Sequence, residues 1–393
     1  MSSPHAPGCR APAVVTPVSV AVALATIALV SGVARPVAAA DPAAIKKALA
    51  RGTAYLAEHA QAEDGSFSSE VGPAVTALAV TALVRAGTPV DAPAVQKGLA
   101  YLLGFKQADG GLHASGSPVS NYESSLALVA LAACNADGRY AEEIKGLAAF
   151  IKRLQWDDGE GKGESDPAFG GAGYGSKSRP DLSNTAFMIE ALRSVGTSAD
   201  DPAIQRALVF VSRAQNLEGP HNPLPFPAKN PDGGFYYTPA AGGESQAGKT
   251  PEGGLRSYGS MTYAGLKSMI FAGLTRDDPR VKAAVEWLRR HYTFAENPGL
   301  GEAGLFYYLH TAAKALDVLG DESFADADGK THAWRDELSD AILARQREDG
   351  SWKNAKERWM EGNPTLVTSY ALLALAHCLP RPAGAAPAGG VTP

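Results

Sequence analysis

The chain has 393 residues, 45% of them hydrophobic and 20% charged, with a formal charge of −5 at pH 7. That composition is neither disordered nor membrane-embedded, and its mild acidity argues against nucleic acid or anionic lipid as a partner. Three cysteines in such a length exclude a disulfide framework.

The first forty residues differ in kind from the rest. Arg10 precedes the apolar run AVVTPVSVAVALATIALVSGVA, and the small residues Ala38 and Ala40 come just before Asp41. A positive start, an apolar middle and small residues at the cut are the pattern of a secretory signal peptide. Residues 1–40 are therefore read as a leader cleaved after Ala40, which makes the protein secreted or periplasmic with no stable membrane span. The alternative is an uncleaved anchor, because the apolar run nears the ~20 residues that a span needs. Cleavage removes Arg10, Arg35 and Cys9 but no acid, so the formal charge moves from −5 to −7. Cys134 and Cys378 then remain, both ending apolar helical runs, and are read as buried thiols rather than a bridge.

From Asp41 the chain alternates two kinds of helical segment. One kind is charged on one face: IKKALARGTAYLAEH, VQKGLAYLLGF, IKGLAAFIKRL, IQRALVFVSRA, VKAAVEWLRRH and LSDAILAR. Four of these begin near an Asp and a Pro: Asp41-Pro42, Asp91 with Pro93, Asp201-Pro202 and Asp278-Pro279. Asp is a good N-cap and Pro suits the first helical turn. The other kind is almost uncharged and rich in Ala, Ser and Thr: AVTALAVTALVRAG, YESSLALVALAAC, SNTAFMIEALRSVG, MTYAGLKSMIFAGL, LHTAAKALDVLG and TLVTSYALLALAHCL. Between the two kinds a polar turn recurs, as QAEDGSF (61–67), QADGGL (107–112), QWDDGEG (155–161), QNLEG (215–219) and QREDGSW (346–352). In the fifth pair HYTFAENPG replaces it.

A helix with so few charges is buried on both sides. Six charged outer helices around six buried inner ones form an all-α, double-layered α6/α6 toroid over residues 41–379, and closure removes the open ends of a linear array. No strand-period run of useful length appears. In each turn the Asp-Gly step tolerates positive φ, the aromatic covers an apolar edge, and the Gln amide serves exposed helix-end groups. The segment PRPAGAAPAGGVTP (380–393) reads as a disordered Pro/Gly/Ala-rich tail.

The Gln-x-x-Asp-Gly-x-Trp turn after an apolar helix resembles the QW repeat of squalene and oxidosqualene cyclases. Protein prenyltransferase β subunits share that ring of helix pairs. The resemblance implies a fold more firmly than a reaction, since one ring serves several activities. It also allows two sites to be checked. Class II terpene cyclases protonate an alkene with an Asp-x-Asp-Asp-Thr-Ala motif, which relies on a carboxylic acid held protonated. The matching stretch is DLSNTAFMIEAL (181–192). Asp181, Thr185 and Ala186 match, but Ser183 and Asn184 stand where the second and third carboxylates belong, so Asp181 alone remains as the candidate catalytic residue, with a helix N-cap as its alternative role. The prenyltransferase zinc site implies an Asp-x-Cys pair and a later His. His310 is placed for the His, yet Ala264 and Leu266 occupy the other two positions, so neither a metal nor any other cofactor is expected.

The N-terminal ends of the inner helices converge on a central cavity. They offer Tyr122, Glu123, Asn184, Tyr258, Tyr263, Tyr307, His310, Glu361 and Tyr370 as candidate ligand-binding residues, with Ser260 and Trp359 beside them. An aromatic cavity with a few polar groups suits an apolar or a carbohydrate ligand. Two Gly/Pro-rich insertions, 162–180 and 219–259, precede inner helices and read as lids or binding loops. Three functions compete. The first is an isoprenoid-like apolar small molecule bound, with or without transformation, in the cavity. The second is a non-catalytic scaffold for an unknown protein partner. The third is a carbohydrate-active α/α barrel using two of Glu123, Asp181 and Glu361 as a carboxylate pair.

Overall fold

The computed structural model describes residues 41–176 and 178–380; the leader read at 1–40 and the tail from 381 onward lie outside them. Among the described residues twelve α-helices follow in order: α1 (Pro42–Tyr55), α2 (Ala74–Arg85), α3 (Pro93–Leu103), α4 (Ser120–Ala133), α5 (Ala141–Arg153), α6 (Leu182–Ser194), α7 (Pro202–Arg213), α8 (Gly259–Phe271), α9 (Pro279–Arg290), α10 (Leu305–Leu319), α11 (Trp334–Leu343) and α12 (Pro364–Cys378). The even-numbered helices touch in sequence, α2 to α4, α4 to α6, and on to α12, which returns to α2. The odd-numbered helices pack outside them, from α3 on α2 to α11 on α12, and α1 also rests on α12. The chain is a closed α/α toroid of six helix pairs. The sheet among the described residues is one antiparallel pair, Phe324–Ala325 with Thr331–His332.

Local chemistry explains the two layers. Asp41, Asp201 and Asp278 cap α1, α7 and α9, each accepting a backbone N–H two residues on at 2.9 Å. Asp91 does not cap α3. The extra Ala92 before Pro93 moves it one residue out, and Ala92 takes the cap position with no side-chain bond. Inside, α2 is buried from Ala74 to Leu83 and α12 from Thr365 to Leu375. Their hydroxyls bond back to the carbonyl one turn earlier, as Thr81 to Ala77 and Ser369 to Thr365, both at 2.8 Å. Small polar side chains thus let inner helices pack closely without stranding a donor. Cys134 and Cys378 are both buried and free. No helix among the described residues is long and apolar enough to cross a membrane.

The glutamines behave differently from the sequence expectation. Rather than satisfying unpaired helix-end groups, four of the five reach a backbone carbonyl of a neighbouring outer helix, in the first turn of α3, α7 and α9 and in the middle of α1. The Gln61 amide donates to Gly65 in its own turn and to Ala94 of α3. Gln155 donates to Gly170 and to Ala203 of α7, and Gln215 to Gly233 and to Arg280 of α9. Gln346 donates to Gly350 and to Ala48 of α1, both at 3.0 Å. Gln107 is the exception: its shortened turn keeps both bonds local, to Phe105 and His113. The Gln346 bridge joins the last pair to the first, and Arg51 of α1 adds bonds to Gln346, Arg347 and Glu348. Trp352 lies in this seam, fully buried, with its indole N–H on Ile342 at 2.8 Å. Gly52 of α1 leaves room for it, since a Cβ there would sit 2.9 Å from the indole.

Candidate functional site

At the end of the ring where the inner helices begin lies a cavity of about 360 Å³. It lies toward the small end of the ~300–1,000 Å³ typical of small-molecule sites. Its wall is mostly aromatic. Phe187 of α6 meets Tyr122 of α4 edge to face at 5.3 Å and Tyr307 of α10 at 6.1 Å. Tyr370 of α12 packs on Tyr307 at 6.0 Å, and Tyr258 closes the wall before α8. Polar atoms are few. The Ser183 hydroxyl hydrogen-bonds the Tyr307 phenol at 2.9 Å. Burial pushes the Tyr122 phenol up to about 12, and raises Tyr307, Tyr258 and Tyr370 as well. At neutral pH the phenols are therefore uncharged, and the wall presents ring faces with hydroxyl tips.

The carboxylates expected at the rim are all occupied. Glu361 lines the cavity, but one oxygen accepts the Tyr307 N–H at 2.8 Å and the other the Asn354 amide at 2.6 Å. It caps α10, and burial raises its pKa against those bonds. Glu123 is buried beside Tyr122 on α4, yet it turns away to the loop, accepting the Ala114 N–H at 3.2 Å. Asp181 caps α6: its two oxygens accept the Asn184 N–H at 2.9 Å and the Asn184 side-chain amide at 2.8 Å. It stands outside the cavity wall, beside Tyr237, which does line the wall. Of the predicted residues, Tyr122, Tyr258, Tyr307, Glu361 and Tyr370 come together on the cavity. Asp181, Glu123 and Asn184 lie just behind it. Tyr263 packs instead against Tyr308, with ring centroids 5.7 Å apart. His310 faces a different cavity at the far end; α10 starts at Leu305, four residues before the expected helix, so His310 falls inside its body.

Several lining residues escaped the sequence reading. Tyr174 comes from the first long insertion and Tyr237 and Gln246 from the second, so both loops build the wall, as insertions before inner helices suggested. Phe187 lies four residues after Ser183, on the same helical face, and that spacing was the available signal. Trp359 and Met360 form the rim, 43% and 42% exposed. Both have positive φ, 55° and 65°, a conformation that costs non-glycine residues energy and gathers at binding sites. Arg358 lies over the Trp359 ring at 4.1 Å.

Burial pushes Asp181 up to about 6, against the pull of Asn184, Tyr237 and Arg179. An acid raised on folding stabilises the fold below its unfolded pKa, near 3.8, and loses that contribution as pH rises through 6. Over about two pH units this amounts to roughly 3 kcal/mol. The stability of the wild type relative to Asp181→Asn therefore falls by about 2–3 kcal/mol between pH 4 and pH 7.5 in urea unfolding. The substitute amide can donate to the Asn184 oxygen, which is buried without a partner, once the Asn184 amide turns over. A difference that stays constant across that range would mean Asp181 is ionised throughout.

Residues 71–238 match the squalene-hopene cyclase C-terminal domain family. No curated protein matches the chain. Among solved structures the ring resembles the type II terpene cyclase MstE from Scytonema, at 15% identity and a TM-score of 0.50 over 86% of this chain and 98% of that one. A variant of that cyclase in complex with geranylgeranyl dihydroxybenzoate gives 14% identity and a TM-score of 0.51 over the same shares. A family 76 glycoside hydrolase from a bovine Bacteroides thetaiotaomicron strain gives 10% identity and a TM-score of 0.52, over 84% of this chain and 77% of that one. At these identities the structural likeness speaks for the fold. By its closed ring of helix pairs and by the match over residues 71–238, the chain resembles the squalene-cyclase and prenyltransferase-like superfamily.

Proposed function

We propose that the chain is an exported protein that binds an isoprenoid-like apolar ligand in the tyrosine-lined cavity, without cyclising it by the acid chemistry of class II cyclases. One observation carries this reading: the cavity presents aromatic faces and hydroxyls, while its one lining carboxylate, Glu361, is committed to the N-terminus of α10. Where the cyclase motif has its middle acid stands Ser183, whose hydroxyl cannot protonate an alkene. Ring faces at this spacing favour unsaturated hydrocarbon by contact area and would favour cationic character by cation–π attraction. The geranylgeranyl ligand of the Scytonema cyclase variant supports the ligand class. A glycosidase pair needs two carboxyl groups facing each other across the substrate, and Glu123 and Asp181 do not line the cavity.

The test is a titration of the purified protein with farnesol, following the emission of Trp359 at the rim, with Trp359→Phe as the control for the other tryptophans. Saturable quenching is expected, weakened about ten-fold or more by Phe187→Ala or Tyr307→Ala. Organic extraction and mass spectrometry of the same preparation should release a co-purifying polyprenoid. Absence of saturable binding together with an empty extract sinks the reading; turnover of a polyprene by the wild type refutes the non-cyclising part.

A further inference from the structure

The inner helices end around a second cavity, of about 520 Å³, at the opposite end of the ring. It shares a wall residue, Phe187, with the tyrosine cavity. One part of its wall is apolar, from Leu78, Leu126, Val129, Phe271 and Leu373. The other part carries Arg85, Glu190, Arg193, His310, Lys314 and His377.

The charges do not balance. Glu190, buried on α6, lies between the ammonium groups of Lys267 and Lys314 and bonds to both. One carboxylate faces two ammoniums, so a positive charge is left over. Arg85 and Arg193 add two more. Behind the wall, Asp317 answers Arg335 at 2.8 Å and His377 at 3.0 Å. Burial holds His310 and His377 down to about 3, reinforced by Lys314, so both rings are neutral at physiological pH. Carbonyl groups at the ends of α2 and α6 account for Arg85 and Arg193 in their last turns. They do not account for Lys267 and Lys314, which stand a turn or more inside α8 and α10.

Donors are also left unused. Nδ1 of His310, a residue only 6% exposed, is buried with no hydrogen-bond partner, and so is Nε of Arg193. A buried polar group without a partner is uncommon and calls for an explanation. An oxyanion beside Lys314 would give one: it would accept from Arg193 Nε, from Lys314 and from His310 in its Nδ1–H form. The apolar wall would cover a chain attached to that head, ending against Phe187.

We propose that this second cavity binds an amphiphilic anion, a carboxylate or phosphate monoester head carried on a short hydrocarbon chain. The site does not rest on the ligand reading above, because its charged and polar side chains lie at the other end of the ring and Phe187 is the residue that the two linings share.

Isothermal titration of the purified protein with decanoate, decyl phosphate, decanol and inorganic phosphate tests it. Both decyl anions are expected to bind saturably, and the tighter one identifies the head group. Decanol should bind at least ten-fold more weakly. Lys314→Met leaves Glu190 paired with Lys267 and should weaken both anions ten-fold or more while the farnesol titration is unchanged. Arg193→Gln, which touches no ion pair of the triad, serves the same purpose if Lys314→Met fails to fold. Decanol binding as tightly as decanoate, or variants within two-fold of wild type for both anions, overturns the proposal. Inorganic phosphate binding as tightly as decyl phosphate overturns its apolar half and leaves an ion site only.

Discussion

Replacing Glu190 by leucine lowers the unfolding free energy by about 3–5 kcal/mol, because it leaves the buried Lys267 ammonium and the cavity-lining Lys314 ammonium without a counter-charge. Lys267 is 4% exposed and reaches Glu190 from the adjacent α8, while Lys314 reaches it from α10, one helix further round the ring. The triad therefore ties α6, α8 and α10 together at one point. Adding Lys267→Met and Lys314→Met to the same protein should restore most of the loss, since an apolar cluster of similar volume carries no desolvation cost. Burial opposes ionisation of Glu190, but Lys267 and Lys314 hold it well below the ordinary 4.5. An acid depressed on folding stabilises above its unfolded pKa and loses that contribution as pH falls below it. The gap between wild type and Glu190→Leu should then narrow below pH 4.5. Urea unfolding at pH 7 and pH 3.5 measures both effects. A loss under 1 kcal/mol at pH 7 would show that water in the second cavity solvates the lysines.

The second large effect is at the seam. Trp352→Ala is expected to cost about 3–5 kcal/mol, the range for truncating a buried aromatic and leaving a cavity. The cost is local in a telling way. The indole packs where Gly52 of α1 approaches it, beside the Gln346 and Arg51 bonds that close the ring. Hydrogen exchange of the variant should therefore rise first in α1 and in the turn 346–352, ahead of α4 to α8. Uniform loss of protection would mean that the seam has no independent stability. A Gln346→Leu variant, which keeps the tryptophan, should give a smaller loss, about 1–3 kcal/mol, from the unpaired carbonyls.

The layers of this fold were legible because burial is written in composition. Inner helices such as TLVTSYALLALAHC carry no charge at all, and outer ones such as VKAAVEWLRR carry theirs on one face. The order of helices around the ring followed from the recurring turn. The site was legible only in part. Tyr122, Tyr258, Tyr307 and Tyr370 could be found because the start of an inner helix sets both depth and direction. His310 was misplaced because the start of α10 was misplaced too: Gly304 takes a left-handed conformation with φ 67° just before Leu305, and nothing in the local pattern marks the helix as beginning there. Glu123 follows Tyr122 by one residue, about 100° around the helix, so the two cannot face the same way. Tyr174 and Tyr237 sit on irregular backbone, where no period predicts the direction of a side chain. The second cavity was hidden for another reason. Glu190, Lys267 and Lys314 lie on three different helices, and only tertiary packing brings them together.

The bond from Gln346 to Ala48 places the last helix pair beside the first. For the packed helices, then, every pair has two neighbours, and no pair is first or last. A short linker from the end of α12 to the start of α1, with new termini opened in the exposed turn at 135–139, should give a circular permutant with the same interior. The point at which such a chain is cut would then govern the order in which its pairs emerge during synthesis, while leaving the finished object alike.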